Sequence, residues 1–238
     1  MPDRYFVTPP IQGDRAALCG DEAHHLVKVM RAKPGDEIIV FDGGGSEWLA
    51  RVAEVRRGEV ALDLIERRDG HCELDADLTL AVALPKGERQ RWLVEKSVEL
   101  GVRRLVPLIA GRGVAQPVDN ALARLRRTVI EASKQCGRNR LMEIAPPESW
   151  HEFGARQAAG QVRWMADPLG EKLVPCLNGL RTAGGRFSLV FAVGPEGGWT
   201  EGERHAAASH GWRIVSLGPH LLRVETAALL LASIARAL

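Results

Sequence analysis

No two cysteines in this chain stand at C-x-x-C spacing. Cys19, Cys72, Cys136 and Cys176 lie far apart, which fits neither a zinc site nor a disulfide framework, so buried thiols are expected. No apolar run is long and uninterrupted enough to span a bilayer. The start, MPDRYFVTPP, has no apolar signal core behind a basic stretch, and a cytosolic protein is expected. Familiar catalytic motifs are missing too. The glycine-rich strand ends carry no Lys-Ser/Thr of a phosphate loop and no G-x-G-x-x-G dinucleotide fingerprint, and there is no G-x-S-x-G nucleophile elbow. His24 and His25 are adjacent, which turns them to different sides of a helix, and no other histidine pair has metal-ligand spacing. No metal is expected.

What is present begins with size and charge. A chain of 238 residues, 45% of them hydrophobic, suits one large domain or an ordinary domain plus a small one. The net charge of +2 is unevenly divided. Residues 1–70 hold 10 Lys and Arg against 13 Asp and Glu, a net of −3, whereas residues 71–238 hold 22 against 17, a net of +5. Between Arg103 and Arg140 nine basic residues face only two acids, Asp119 and Glu131. That segment would attract a polyanion, or its arginines would cover apolar surface on a solvated helix face.

The pattern changes near residue 70. Before it come short strands: RYFV, then DEIIVFDGGGSEWLARVAEV around a Gly-rich hairpin, then the alternating EVALDLIE. One short helix, GDEAHHLVKVMR, interrupts them, with Asp21 as the expected N-cap. This predicts a small β-barrel-like domain over residues 1–70, followed by a polar linker over 71–77. From residue 78 to 238 strands alternate with helices. LTLAVALP precedes ERQRWLVEKSVELG, whose Gly101 is placed to end the helix. RLVPLIA precedes a helix from about Asp119 to Cys136 with Leu122, Leu125, Val129 and Cys136 at core spacing. Arg127, Glu131, Lys134 and Arg138 form another stripe of it. VRWMADP, FSLVFAVG and RIVSLG are further buried strands. Such an order implies an α/β domain with a largely parallel sheet and helices on both faces.

Ligands of parallel sheets bind beyond the carboxyl ends of the strands. Two such ends stand out, AVGPEGG and SLGPHLLRVETA, each an apolar strand, then Gly-Pro, then a helix with an acid near its start. Gly194, Gly197, Gly198 and Gly218 would let the main chain approach a flat ligand. Glu225, in the first turn of the last helix, suits the helix dipole whatever else it does.

LPKGERQRWLVEKSVELGV, EASKQCGR, AVGPEGGWTEGE and LGPHLLRVETAALLLASIA together resemble the successive motifs of the RsmE family of 16S ribosomal RNA uridine N3-methyltransferases, in the SPOUT superfamily. The weaker HHLVKVMRAKPGDEIIVFDG resembles that family's PUA-like N-terminal domain, so the likeness covers nearly the whole chain. The resemblance implies a deep C-terminal trefoil knot, which periodicity alone would not suggest. It also implies S-adenosyl-L-methionine as cofactor, 16S rRNA of the small ribosomal subunit as partner, and a homodimer. The last helix, VETAALLLASIARAL, is apolar nearly all round, which such a knot and a second copy would explain.

Carried onto this chain, Val193, Gly194, Pro195, Glu196, Gly197 and Gly198 would form one wall of the cofactor site, and Leu217, Gly218 and Leu222 the other. Arg223 is the candidate to stabilise charge developing on the pyrimidine, unless it pairs with Glu225 or with phosphate. Glu196 or Glu225 would accept the N3 proton. His25, Arg31, Lys86, Arg124, Arg127, Lys134 and Arg138 are the expected RNA contacts, and Arg138, with Gln135 near it, is alternatively an active-site contact. Lys96 also matches the family pattern, or it only neutralises Glu99. His220 and Met142 depart from that pattern, which leaves the details around them and around Arg138 open. Two other readings stay open: a related methyltransferase acting on another base or RNA, and a non-catalytic RNA-binding assembly factor.

Overall fold

The computed structural model describes residues 3–8, 10–69, 73–113, 119–156, 160–173 and 188–237. The chain folds as two compact units, Met1–Glu73 with Ile130–Leu141, and Leu74–Val129 with Met142–Leu238.

The first unit holds a five-stranded sheet in the order β1-β3-β4-β5-β2. Its strands are β1 (Arg4–Phe6), β2 (Arg15–Cys19), β3 (Glu37–Phe41), β4 (Ser46–Arg56) and β5 (Glu59–Asp69). β3, β4 and β5 pair antiparallel as the hairpin signals predict, while β1 runs parallel to β3. Alternation sets the core. Ala50 and Val52 of β4 and Val60 and Leu62 of β5 are buried together with Tyr5, Leu18, Leu26 and Val40, as expected when every second side chain turns inward. Sequence pattern did not reveal β2, because RAALC is too short and mixed to alternate clearly.

The helix here departs from expectation. α1 spans only Gly20–His24, its N-cap is Cys19 without a side-chain bond, and Asp21 lies inside the first turn. β2 runs straight into it, so the extended residue before the helix is Cys19, and no loop remains for Asp21 to cap. A π-helical turn, His25–Val29, follows. The element closes through a hydrogen bond from the Ala32 N–H to the Leu26 carbonyl, 3.1 Å.

The second unit is built on a parallel sheet in the order β12-β10-β11-β6-β7-β8, with β9 also pairing β7. Its strands are β6 (Asp77–Val82), β7 (Arg104–Ile109), β8 (Glu143–Ile144), β9 (Glu148–Ser149), β10 (Gln161–Lys172), β11 (Ser188–Val193) and β12 (Arg213–Ser216). β11 sits between β10 and β6, and Leu189 to Val193 are all buried, the continuous apolar run of a strand covered on both faces. The helices are α2 (Glu88–Glu99), α3 (Asp119–Cys136), α4 (Trp150–Ala155), α5 (Glu201–Ser209) and α6 (Val224–Arg236). α2 ends as its glycine predicts. Gly101 has φ +86°, its N–H bonds the Val98 carbonyl, and the Val102 N–H bonds that of Ser97, both at 3.0 Å. That is the paired bonding of a Schellman cap.

The two described cysteines do not behave alike. Cys19 is exposed, against the expectation of burial, and Cys136 is half-buried, while Cys72 and Cys176 lie outside the described residues. Among those residues no helix is long and apolar enough to cross a membrane, and no cluster of His, Cys, Asp and Glu could hold a metal ion.

Candidate active site at the carboxyl edge of the parallel sheet

Parallel strands deliver all their C-terminal ends to one edge. Three of those ends matter here. β6 leads through Lys86 and Gly87 into α2, β11 leads into Gly194–Gly198, and β12 leads through Leu217 and Gly218 towards α6. β11 and β6 are paired in register to their last residues, Val193 opposite Val82, and the Ala83 N–H donates to the Val193 carbonyl at 3.0 Å. The first two ends are thereby held side by side.

A cluster of tryptophans fixes the loop after β11. Trp199 is 2% exposed, its indole N–H donates to the Ala166 carbonyl at 2.9 Å, and its ring centroid lies 4.8 Å from that of Trp150. Trp212 packs on Trp150 in turn, 5.1 Å away. A Cβ on Gly194 would stand 2.7 Å from Trp199 Cε2. Gly194 therefore answers to its own tryptophan as well as to any ligand. Gly198 and Gly218 are different. They take φ of +70° and +129°, and a Cβ on either would meet no atom within 4 Å, so glycine here answers to the backbone conformation and not to a packed neighbour. On the far side of the loop, Arg112 Nη1 donates to the Gly197 carbonyl at 3.1 Å. Thr200 and Glu203 close a capping box that starts α5.

The acids of the two turns meet on one cation. Arg89 Nη1 donates to Glu196 Oε1 at 2.8 Å and lies 3.8 Å from Glu225 Oε1. The three side chains grade from solvent inward: Glu196 is 64% exposed, Arg89 39% and Glu225 8%. Glu225 sits in the first turn of α6, where the helix dipole favours a negative charge. Its second oxygen, Oε2, is buried and has no hydrogen-bond partner among the described residues.

Several expected residues stand where a ligand could reach them. Val193 and Gly194 are buried, Pro195, Gly198, Leu217 and Leu222 half-buried, and Gly197 and Gly218 exposed. Arg223 is the N-cap of α6 and is exposed. The expected alternative, an Arg223–Glu225 ion pair, is not formed among the described residues; Arg89 faces Glu225 instead. Lys86, His25, Arg31, Arg124 and Arg127 are exposed. His220 is exposed, and Met142 is 3% exposed, a core residue.

Two of the expected RNA contacts need correction. Arg138 is 2% exposed and pairs with Glu73, Nη2 to Oε2 at 2.7 Å, so its guanidinium is not presented to a polyanion. Lys134 is likewise spent on Glu22, 2.8 Å away. The stripe that grouped them carries a helical period past its end, because α3 stops at Cys136 and Gly137 turns the chain with φ +82°. Lys96 bonds Glu99 at 2.7 Å and Glu95 at 2.9 Å, and these bonds hold its ammonium above the usual lysine range. It neutralises its own helix.

Two residues of this edge escaped the sequence reading. Arg89 lies in a run of charges, KGERQR, that reads as an ordinary solvated helix start. Its position just past the end of β6 was the available signal. Asp167 lies in the register shift of β10, is 5% exposed, and faces Arg204 at 3.4 Å. An acid within an otherwise apolar strand segment, WMAD, was the signal there.

The chain is similar to known RNA methyltransferases. Residues 72–236 match a family model described as an RNA methyltransferase domain, and residues 18–65 match an RNA methyltransferase PUA domain. Ribosomal RNA small subunit methyltransferase E of Synechocystis is 34% identical over 87% of this chain and 67% of its own length. The protein of that name from Mycobacterium tuberculosis is 31% identical over 94% of this chain and 87% of its own. A crystal structure of ribosomal RNA small subunit methyltransferase E from Neisseria gonorrhoeae, bound to S-adenosyl methionine, superposes with a TM-score of 0.88 at 29% identity, covering 100% of this chain and 98% of that one. A Legionella pneumophila methyltransferase in complex with SAM superposes with a TM-score of 0.85 at 27% identity, covering 100% and 98%. With a family model spanning most of its length and relatives above 30% identity along nearly all of it, the chain belongs to the RNA methyltransferase family, in the group of ribosomal RNA small subunit methyltransferase E.

Proposed function

We propose that this protein methylates N3 of a uridine in 16S ribosomal RNA of the small subunit, with S-adenosylmethionine as donor. The observation that supports the reading is the meeting of Glu196, in the first glycine turn, and Glu225, in the helix after the second, on Arg89. The residues fit that donor. Gly198 and Gly218 leave open space where a side chain would stand, and Glu225 Oε2 is a buried acceptor without a hydrogen-bond partner among the described residues. Residues Val193 to Gly198 would hold one side of the donor, and Leu217, Gly218 and Leu222 the other. The donor supplies a methyl group on a positively charged sulfur.

The protein's own task is to align the reactants and to favour loss of a weakly acidic imide proton. Arg223, exposed at the start of α6, stabilises negative charge on a pyrimidine carbonyl oxygen. Glu196 or Glu225 takes the proton. The unit around β1 to β5 positions RNA through His25 and Arg31, and Lys86, Arg124 and Arg127 meet RNA from the other unit. The chain division near residue 70, the trefoil knot and the homodimer belong to the same reading. A second copy would cover Leu229, Leu230 and Ile234, which stay half-buried on α6.

Nucleoside mass spectrometry of 16S rRNA tests it. A strain lacking this protein should lose one N3-methyluridine, the wild-type chain should restore it, and Arg223→Ala should bind the donor normally in titration calorimetry yet restore little. Loss of some other methylated nucleoside would move the substrate. Loss of none would end the reading.

A further inference from the structure

Methyl transfer as proposed gives Arg89 no chemical role and does not choose between Glu196 and Glu225, or between the two oxygens of Glu225. Glu225 as a whole residue is 6% exposed, and among the described residues only its Oε1 has a charged neighbour, Arg89 at 3.8 Å. A buried carboxylate oxygen with no hydrogen bond is costly, and a donor supplied by a ligand removes that cost. The Arg89–Glu196 pair at the outer end is different. Both side chains are substantially exposed, 39% and 64%, and an exposed pair contributes little to folding stability. Arg89 thus spans from a carboxylate that water can screen to one that water hardly reaches.

We propose that Glu225 Oε2 accepts a hydrogen bond from an N–H group of a bound ligand, and that Arg89 is the positioning residue that holds Glu225 and Glu196 for it. The inference rests on the methyl-transfer reading. Two N–H donors have the required chemistry: the amino group of the donor's methionine portion and the imide of the target pyrimidine. In the second case the N3–H bond breaks and the proton passes to Oε2, leaving a carboxylic acid. The electron pair left on N3 then takes the methyl group, and the sulfonium becomes a neutral thioether. Arg89 keeps the two neighbouring carboxylates from repelling each other and fixes the rotamer of Glu225 through its Oε1.

Glu225→Gln, Arg89→Ala and Arg89→Lys in the full chain decide the matter by three measurements. These are calorimetric affinity for S-adenosylmethionine, single-turnover methylation of small-subunit RNA against pH, and the urea midpoint. If the partner is the amino group, Glu225→Gln weakens donor affinity about tenfold or more, the loss expected for a charge-assisted bond. If the partner is the imide, donor affinity stays and the rate falls by about a hundredfold or more, with a changed pH profile. In either case Arg89→Ala moves the same quantity as Glu225→Gln, Arg89→Lys recovers part of it, and the urea midpoint of the Arg89 variants stays near wild type. Wild-type affinity, rate and pH profile in Glu225→Gln and Arg89→Ala would overturn the inference. So would a large fall in the urea midpoint of Arg89→Ala, since that marks a folding role. A wild-type chain that fails to bind the donor would instead sink the methyl-transfer reading itself.

Discussion

Arg31 has φ +59°, and every other described residue in the left-handed region is glycine. A side chain in that conformation costs roughly 1–2 kcal/mol, so the position would suit glycine better unless arginine is needed there. It ends the π-helical turn that begins at His25 and is exposed, as an RNA contact must be. Strain that a fold tolerates is often tied to function. Arg31→Gly should make the protein more stable to urea by about 0.5–1 kcal/mol, after allowing for glycine's extra freedom when unfolded, while weakening binding of small-subunit RNA. A loss of stability would refute the strain argument, and unchanged RNA affinity would remove Arg31 from the interface. At this scale the residues of the candidate site were legible as candidates. Glu196, Arg223 and Glu225 stand beside uncommon glycine turns, and their residue types suit proton and charge chemistry. Arg138 and Lys134 were misread because a charge in sequence does not show its partner. Glu73 is 65 positions from Arg138, and Glu22 is 112 positions from Lys134.

Elements were easier to read than partners, for a physical reason. A strand buried on both faces must be largely apolar, so β11 declares itself, and the glycine after α2 marks a helix end because few other residues accept that backbone. The π-helical turn had no such signature, and β2 was too short for one. The loop after β11 shows the limit best. Its glycines were visible, but the tryptophan that requires one of them sits five positions on, and only the fold stacks it back. A Cβ on Gly194 would meet Trp199 Cε2 at 2.7 Å and Nε1 at 2.9 Å, and that ring is locked by the Ala166 carbonyl and by Trp150. Gly194→Ala should therefore destabilise the protein by about 1–3 kcal/mol, the range for overpacking a filled core. The displaced indole should show as a shift in tryptophan fluorescence, and donor affinity should fall with it. Replacing Trp199 by Phe in the same chain should recover part of the stability by making room. Equal destabilisation by Gly194→Ala with and without that change would locate the strain elsewhere.

For the molecule as a whole, the basic segment between Arg103 and Arg140 is less charged than its sequence implies. Four of its nine cations face carboxylates that lie outside the segment: Arg103 with Asp77, Arg104 with Glu143 at 3.7 Å, Lys134 with Glu22 at 2.8 Å and Arg138 with Glu73 at 2.7 Å. Arg124 and Arg127 are exposed and have no carboxylate partner among the described residues. A net charge counted along a window therefore overstates the field that a polyanion meets, because compensation is arranged in space. Salt dependence separates the two kinds of cation. Each phosphate contact to a single strand contributes about −0.7 to the slope of log K against log salt. Replacing Arg124 and Arg127 by alanine should lower the magnitude of that slope by about 1.4 for a small-subunit RNA fragment, which weakens binding most at low salt. Replacing Arg103 and Arg104 should leave the slope nearly unchanged, since Asp77 and Glu143 lose partners as the cations go and no counterion release is forfeited. If instead both pairs lower the slope alike, the carboxylates give way when RNA arrives, and the segment acts with the full charge that its sequence displays.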